Sequence, residues 1–499
     1  MRSLAISSVG WAVALGLLNG ADAFAARKNI VLFVTDDQGQ DAGCYGNPII
    51  KTPHLDALAR DATMFRFAFC TTASCSASRS VILTGLHNHA NGHYGHQHAY
   101  HKFNSYANIG SLPTYLKAAG YRTARCGKYH VAPESVYKFD RVLPGGARSP
   151  AVMAKNCQPL FEEKSQQPFF LYICTSDPHR GNGTANELAE KPNRFGNPRP
   201  GSKGYPGIRE RKYDPANVLV PGFLPDTPTC RAELAQYYQS VSRIDQGLGK
   251  LIHGLRQAGQ WDDTLLIYIS DHGIAMPGAK TTVYEGGLRS PCIVRNPYQS
   301  RRGNTNHAMI SWVDLAPTIL DFAGALQGGK IQADVLQKMP TPRGDQRSRQ
   351  SPRGNFHGRS FLEILSQDEP RGWDQVYASH TFHEITMYYP MRVVRGRRYK
   401  LIWNLAHPLP FPFASDLWAA PTWQAQYRQG MDARYGAQTV GAYIQRPEFE
   451  LYDLKHDPHE GQNLAAAPAH AETLAKLKQQ LRNFQKRTND PWILKWRYE

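Results

Sequence analysis

The chain has 499 residues, 41% hydrophobic and 20% charged, a make-up that excludes an intrinsically disordered protein. That length exceeds one ordinary domain, so two are expected, one of them large. The formal charge of +17 admits an anionic partner. An export-type leader argues against nucleic acid, and no basic amphipathic helix argues for a membrane surface. What remains is a solvated basic face and an anionic substrate drawn in electrostatically.

Residues 1–25 carry Arg2, an apolar run from Leu4 to Leu18, and small residues at Ala21, Ala23 and Ala25. This is the pattern of a secretory signal peptide; an uncleaved anchor is the alternative, disfavoured by the short run. No later stretch is long and apolar enough to span a bilayer. The mature protein is therefore expected to be exported, periplasmic or secreted (lysosomal in a eukaryote), with no stable membrane insertion. The eight cysteines, all before residue 293, are dispersed without framework or metal-type spacing, so no pairing is deduced.

"NIVLFVT" (29–35) reads as a buried strand, and 52–62 as a helix with Thr52 as N-cap and Pro53 at its first position. In "TTASCSASRSVILTG" (71–85), Cys75 stands at the mouth of a helix with Arg79 one turn in. A thiol there is acidified by the helix N-terminus and the guanidinium, one reason to place a reactive sulfur. Residues 111–120 read as a helix closed by Gly120, 121–126 and 168–175 as strands, 229–259 as a long amphipathic helix and 263–270 as a further buried strand. The segments 181–226 and 337–360 read as loops. After them "QVYASHTF", "MRVVRGRRYKLIWNL" and "FELYDL" suggest an antiparallel sheet, followed by a final helix near 467–486. The expectation is an α/β fold, a mostly parallel sheet sandwiched by helices over residues 26–369, with a smaller C-terminal α+β domain over 370–499.

Asp36 and Asp37 follow the first strand directly, where open α/β sheets place ligands. Two adjacent carboxylates repel unless a cation lies between them, though a capping or turn pair is the plainer alternative. Asp271 and His272 close the strand 263–270 in the same way, and two such strand ends suggest convergence on one ion.

Together, the Cys-x-Ala-x-Arg motif followed by "LTG", the strand ending in Asp-Asp, the later "SDHG" and "GKYH" (127–130) resemble the type I sulfatases of the alkaline-phosphatase-like superfamily. "TPHLDALAR", "HNHANGHYG", "HKFNSY", "YDPANVLVPGFLPDTP", "HEITMYYPMR" and "LYDLKHDPHEGQNLA" extend the likeness to the sulfamidase (heparan N-sulfatase) branch. The resemblance implies that Cys75 is the precursor of formylglycine, made by a separate formylglycine-generating enzyme; Ala77 stands where Pro is commoner. It implies one divalent cation, Ca²⁺ in the family, held by Asp36, Asp37, Asp271, His272 and residue 75. His272 occupies a place where Asn is frequent, and imidazole is unusual for calcium, so Mg²⁺ and Mn²⁺ stay open. Arg79, Lys128 and Lys280 would hold sulfate oxygens, His130 would assist collapse of the hydrated aldehyde, and His179 in "DPHR" would protonate the leaving atom. His383, Glu384 and Arg392 resemble a substrate-recognition segment, with an edge-strand polar cluster as the alternative. His87, His89, His93, His96, His98 and His101 match no ordered ligand set; pocket lining for one or two and surface for the rest is expected.

The implied activity is release of sulfate from sulfated glucosamine, as an N-sulfate of heparan- or heparin-type glycans; a homodimer is compatible with this. The alternatives are an O-sulfatase on another sulfated polysaccharide, a related phosphatase or phosphodiesterase, and a silent glycan-binding protein. A tyrosine-phosphatase loop is excluded, because Cys75 and Arg79 are too close.

Overall fold

The computed structural model describes residues 28–146, 148–181, 194–198, 201–348 and 354–498. The expected signal peptide lies outside these residues, as does part of the expected loop 181–226. Among the described residues no helix is long and apolar enough to cross a membrane.

Eight strands make the main sheet: β1 Asn29–Thr35, β2 Thr63–Phe69, β3 Arg122–Gly127, β4 Arg141–Leu143, β5 Phe169–Cys174, β6 Thr264–Ser270, β7 Cys292–Arg295 and β8 Asn304–Ser311. Their order is β8-β2-β7-β6-β1-β5-β3-β4. Only β7 runs antiparallel to its neighbours; β1, β5 and β6 are parallel and central. Successive residues of a strand face opposite ways, and here both faces are apolar. Ile30, Leu32 and Val34 pack with Val81, Ile82, Leu112, Leu116 and Ile319 on one side. Val31 and Phe33 pack with Met153, Cys157, Ile244, Leu248 and Leu251 on the other. The first group comes from helices α1 Cys75–Thr84, α2 Leu112–Ala118 and α3 Leu315–Phe322, and the second from α4 Pro150–Glu162 and α5 Pro228–Gln257. The chain is an α/β protein with helices on both faces of a mostly parallel sheet.

A second, antiparallel sheet follows, β9 Gln375–His380, β10 Met391–Gly396, β11 Tyr399–Asn404 and β12 Phe449–Asp453, in that order. Val376, Ala378, Val393 and Ile402 join the first core. The opposite face (Val394, Leu401, Trp403, Leu451) is covered by Leu477, Leu481 and Phe484 of helix α6 Ala471–Arg487. Burying those three side chains stabilises the arrangement by about 1.5–3 kcal/mol each. All eight cysteines are unbridged, and seven are buried.

Candidate active site

Parallel register assembles the site. Thr35 pairs with Ser270, Val34 with Cys174 and Gly127 with Cys174. The residues just beyond these strand ends therefore emerge along one edge of the sheet: Asp36 and Asp37, Asp271 and His272, Asp177 to His179, and Lys128 to His130. At Gly127 an added Cβ would lie 2.1 Å from the Cys174 carbonyl oxygen, and φ is +84°, so glycine alone lets the strand turn Lys128 into the edge.

Helix α1 delivers Cys75 and Arg79. Ser74 is extended (φ −144°) and the helix starts at Cys75; it stops at Gly85, whose left-handed φ of 68° lets its N–H reach the Val81 carbonyl. Every residue of the helix is buried. Cys75 Sγ lies 3.5 Å from Asp37 Oδ1 and 3.4 Å from His272 Nε2. One turn on, Arg79 donates to Asp271 (3.1 Å) and Asp36 (3.1 Å). Lys128 Nζ donates to both Asp36 oxygens at 2.8 and 2.6 Å. Lys280 Nζ reaches Asp37 (3.0 Å), His179 Nε2 (3.0 Å) and Asp416 (2.9 Å).

Floor and rim differ in exposure. Asp36, Asp37, Cys75, Arg79, Asp271, His272 and Lys280 are buried, whereas the Lys128 and His179 side chains are 18% and 27% exposed. Asp37, His130 and Thr281, the last beside Lys280, hold positive φ values of 67°, 60° and 65°. Non-glycine residues in that region cost roughly 1–3 kcal/mol each and persist where surroundings over-determine them, often in functional sites. At Asp37 the constraint includes its N–H bonded to Asp271 Oδ1 at 3.0 Å.

The electrostatics answer the thiol question in the opposite direction to that expected. Burial, then the Asp37 carboxylate, pushes the Cys75 thiol of the cation-free protein up to about 11. Burial alone would raise Asp36 too, but Lys128 heads the opposing charges that hold its carboxyl well below the usual range. Asp271 is pushed up to about 6 by burial despite Arg79. Burial, then Lys280, takes His179 down to about 4.

The donor set fits a divalent cation. His272 Nδ1 donates to the Gly273 carbonyl oxygen at 3.0 Å, which orients the ring and leaves Nε2 facing the carboxylates. Without a cation, burial opposes charging the ring, but Asp271 and Asp37 outweigh it and hold the ring's pKa well above its usual value, so Nε2–H donates to Asp37. That nitrogen lies 2.9 Å from Asp37 Oδ1. Asp37, Cys75, Asp271 and His272 each offer a ligand atom within 4.8 Å of the others, all buried. A cation placed among these groups would replace the Nε2 proton, and an imidazole whose other N–H is held by a backbone carbonyl is oriented as metal-ligating histidines are. Asp36 completes a mainly oxygen set.

Asp177 and Asp416 were missed by sequence reasoning, whereas His96 and His98 were named among six histidines of which one or two were expected to line the pocket, without saying which. Asp177 accepts from Arg148 (2.8 Å) and Arg243 (2.7 Å), while Arg148 also holds the His179 carbonyl at 2.9 Å, which anchors the "DPHR" loop. Its place in that motif was the available signal; Asp416, alone in a connecting segment, had none.

The three residues expected to recognise substrate separate. His383 joins the rim, with Nδ1 2.9 Å from Ser74 Oγ. Glu384 accepts from the Ser415 hydroxyl at 3.0 Å. Arg392 is not brought into the basin: it is buried, its guanidinium bound by Asp490 at 2.6 and 3.0 Å and lying over Trp492. What separates it from Arg79, also buried and paired, is its partner: Asp490 lies in the C-terminal part of the chain and not among the floor carboxylates. Asp490→Ala, which strands that charge, is expected to cost about 3–5 kcal/mol in chemical denaturation. The kcat/KM of the folded fraction is expected to stay unchanged; a raised KM would return Arg392 to the substrate site.

The family model for Sulfatase matches residues 28–325. Human N-sulphoglucosamine sulphohydrolase is 38% identical over 489 residues, covering 94% of this chain and 92% of the relative. An ulvan-active sulfatase of Formosa agariphila is 28% identical, covering 95% and 83%. Among solved structures, a protein in complex with its substrate D-glucosamine-2-N,6-O-disulfate superposes with a TM-score of 0.62 at 20% identity, covering 93% of this chain and 99% of that one. The phosphonate monoester hydrolase of Agrobacterium radiobacter gives 0.60 at 18%, covering 93% and 96%. The two structures share the fold with this chain.

Proposed function

Since this chain belongs to the sulfatase family and is a sulfatase-type hydrolase, we propose that it removes the N-sulfate from glucosamine residues of heparan- or heparin-type glycans after export, as a formylglycine enzyme. The observation that carries the reading is identity to a sulfamidase over nearly the whole chain, the C-terminal part included, combined with a complete floor around Cys75.

Residue 75, once oxidised by a formylglycine-generating enzyme, would supply a hydrated aldehyde as the nucleophile toward sulfur, and a divalent cation, Ca²⁺ by family, would supply positive charge beside the sulfate oxygens. Asp36, Asp37, Asp271 and His272 are the residues that would hold that cation. Arg79, Lys128 and Lys280 ring the floor with fixed positive charge for the sulfate oxygens. Preorganised charge of this kind acts most strongly where water is excluded, as on this floor. His130 is assigned proton removal at residue 75.

His179 is assigned the proton given to the departing nitrogen. In the free protein its ring is neutral and accepts from Lys280. An anionic sulfate arriving beside it favours the protonated ring, so the acid forms with substrate bound. His179→Ala is expected to slow N-sulfoglucosamine by roughly 10²–10⁴-fold and a nitrophenyl sulfate, whose phenolate leaves unaided, far less. Equal losses on both substrates would reduce His179 to sulfate binding.

The substrate class is tested by sulfate release from defined N-, 2-O-, 3-O- and 6-O-sulfated glucosamines. Release from the N-sulfate is expected to dominate; a dominant O-position would overturn the proposal in favour of an O-sulfatase.

A further inference from the structure

Histidines scattered along the chain gather on the rim. His98 Nδ1 lies 2.7 Å from His130 Nε2, and His96 Nε2 lies 2.7 Å from His383 Nε2. The His96 ring stacks on His130 at 4.8 Å between centroids and sits 4.8 Å from His98. His96, His98 and His130 each offer a ring nitrogen within 4.8 Å of the other two. These groups come from three places: the loop after Gly92, the short hairpin Gln97–His98 with His101–Lys102, and the segment beyond β3.

Two imidazole nitrogens 2.7 Å apart share a single proton, since one must donate and the other accept. A metal ion can replace that proton by taking both lone pairs. With bonds of about 2.0 Å, tetrahedral ligand nitrogens stand about 3.3 Å apart, so His98 and His130, at 2.7 Å, would open slightly and His96, within 4.8 Å of both, would close in. His130 Nδ1 is buried without a hydrogen-bond partner, so no bond from that nitrogen locks the ring. His383, pinned by Ser74, holds His96 Nε2, and Ser76 Oγ lies 3.3 Å from His96 Nδ1, so an ion takes a His96 lone pair by displacing the longer of these contacts. His98 is exposed, which gives an ion a way in from solvent.

We propose that His96, His98 and His130 form a second metal site, for a nitrogen-seeking transition ion such as Zn²⁺, and that its occupation inhibits the enzyme. An all-imidazole set suits Zn²⁺, Ni²⁺ or Cu²⁺ and not the oxygen-seeking cation of the floor. The two sites therefore select different ions side by side. Inhibition follows because the bound ion takes the lone pair that His130 needs to accept a proton. That consequence rests on the role proposed for His130; the binding does not.

The experiment titrates Zn²⁺ into the full, cation-loaded protein against a chromophoric chelator. Elemental analysis follows the resident cation, and sulfate release is measured in parallel. One Zn²⁺ is expected to bind without expelling the resident cation, with activity lost at the same midpoint. His98→Ala, on an exposed hairpin whose loss leaves the fold intact, is expected to weaken Zn²⁺ by more than about tenfold, the least that losing even an outer partner of a metal ligand costs. No uptake, unchanged affinity in His98→Ala, or uptake only at the resident cation's expense would each overturn the site. Full sulfate release at full Zn²⁺ occupancy would overturn the inhibition and the role given to His130, while leaving the substrate assignment to its own panel.

Discussion

Cys75→Ala is expected to lose sulfate release by about four orders of magnitude or more, the scale on which removing a covalent nucleophile acts. Residue 75 is the floor's nucleophile candidate: its Sγ lies against Asp37 and His272, with Arg79 one turn along the same helix. The thiol is held at about 11, so it serves poorly as it stands. Mass spectrometry of the peptide containing residue 75 is therefore expected to show an aldehyde in active protein. An active preparation with an intact thiol throughout, or a Cys75→Ala protein that retains substantial activity, would overturn the mechanism. Because Cys75 is buried, the proposed oxidation is expected to precede closure of the fold, and protein refolded without a maturing enzyme is expected to be inactive.

Asp37→Asn is expected to lose the bound cation and at least about 10³-fold in rate, beyond the cost of removing one preorganised stabilising group. One oxygen of Asp37 faces His272 and the other Lys280, so the carboxylate joins the cation's donors to the cationic wall. Asparagine is the appropriate probe because it tolerates the left-handed φ of 67° better than alanine does. The fold is expected to persist, since Lys280 keeps its bond to Asp416. Elemental analysis and circular dichroism check both halves. Full cation occupancy in the variant would refute a shared site built on Asp37.

Much of the floor was legible because it lies where local pattern and topology coincide. Apolar runs ending in Asp36-Asp37 and Asp271-His272 announce buried strands with charged ends, and parallel register then sets the ends side by side. Cys75 and Arg79 were legible as one helix turn. The rim was not. His96 and His98 meet His130 only because a short hairpin folds beside the end of β3, and no spacing in the chain encodes that meeting. Arg392 shows the same limit: its motif context was suggestive, and nothing in the spacing announces that a carboxylate 98 positions later, Asp490, pairs with it. The acidified thiol, one reading of the helix mouth, weighed the helix terminus and Arg79 without burial and the Asp37 carboxylate, which head the shift in the cation-free protein.

The bond from Lys280 to Asp416 matters to anyone building chimaeras. Redirecting such an enzyme by grafting a relative's C-terminal segment assumes that the segment carries only preference for the glycan. Here the graft would also replace a buried counter-charge of the floor, because Lys280 divides its ammonium among Asp37, His179 and Asp416. A donor segment with no acid at that place would leave the ammonium to Asp37 and alter the proton balance at His179. Swaps that keep residue 416 acidic, whatever else they exchange, are the ones in which altered specificity can be read without an altered reaction.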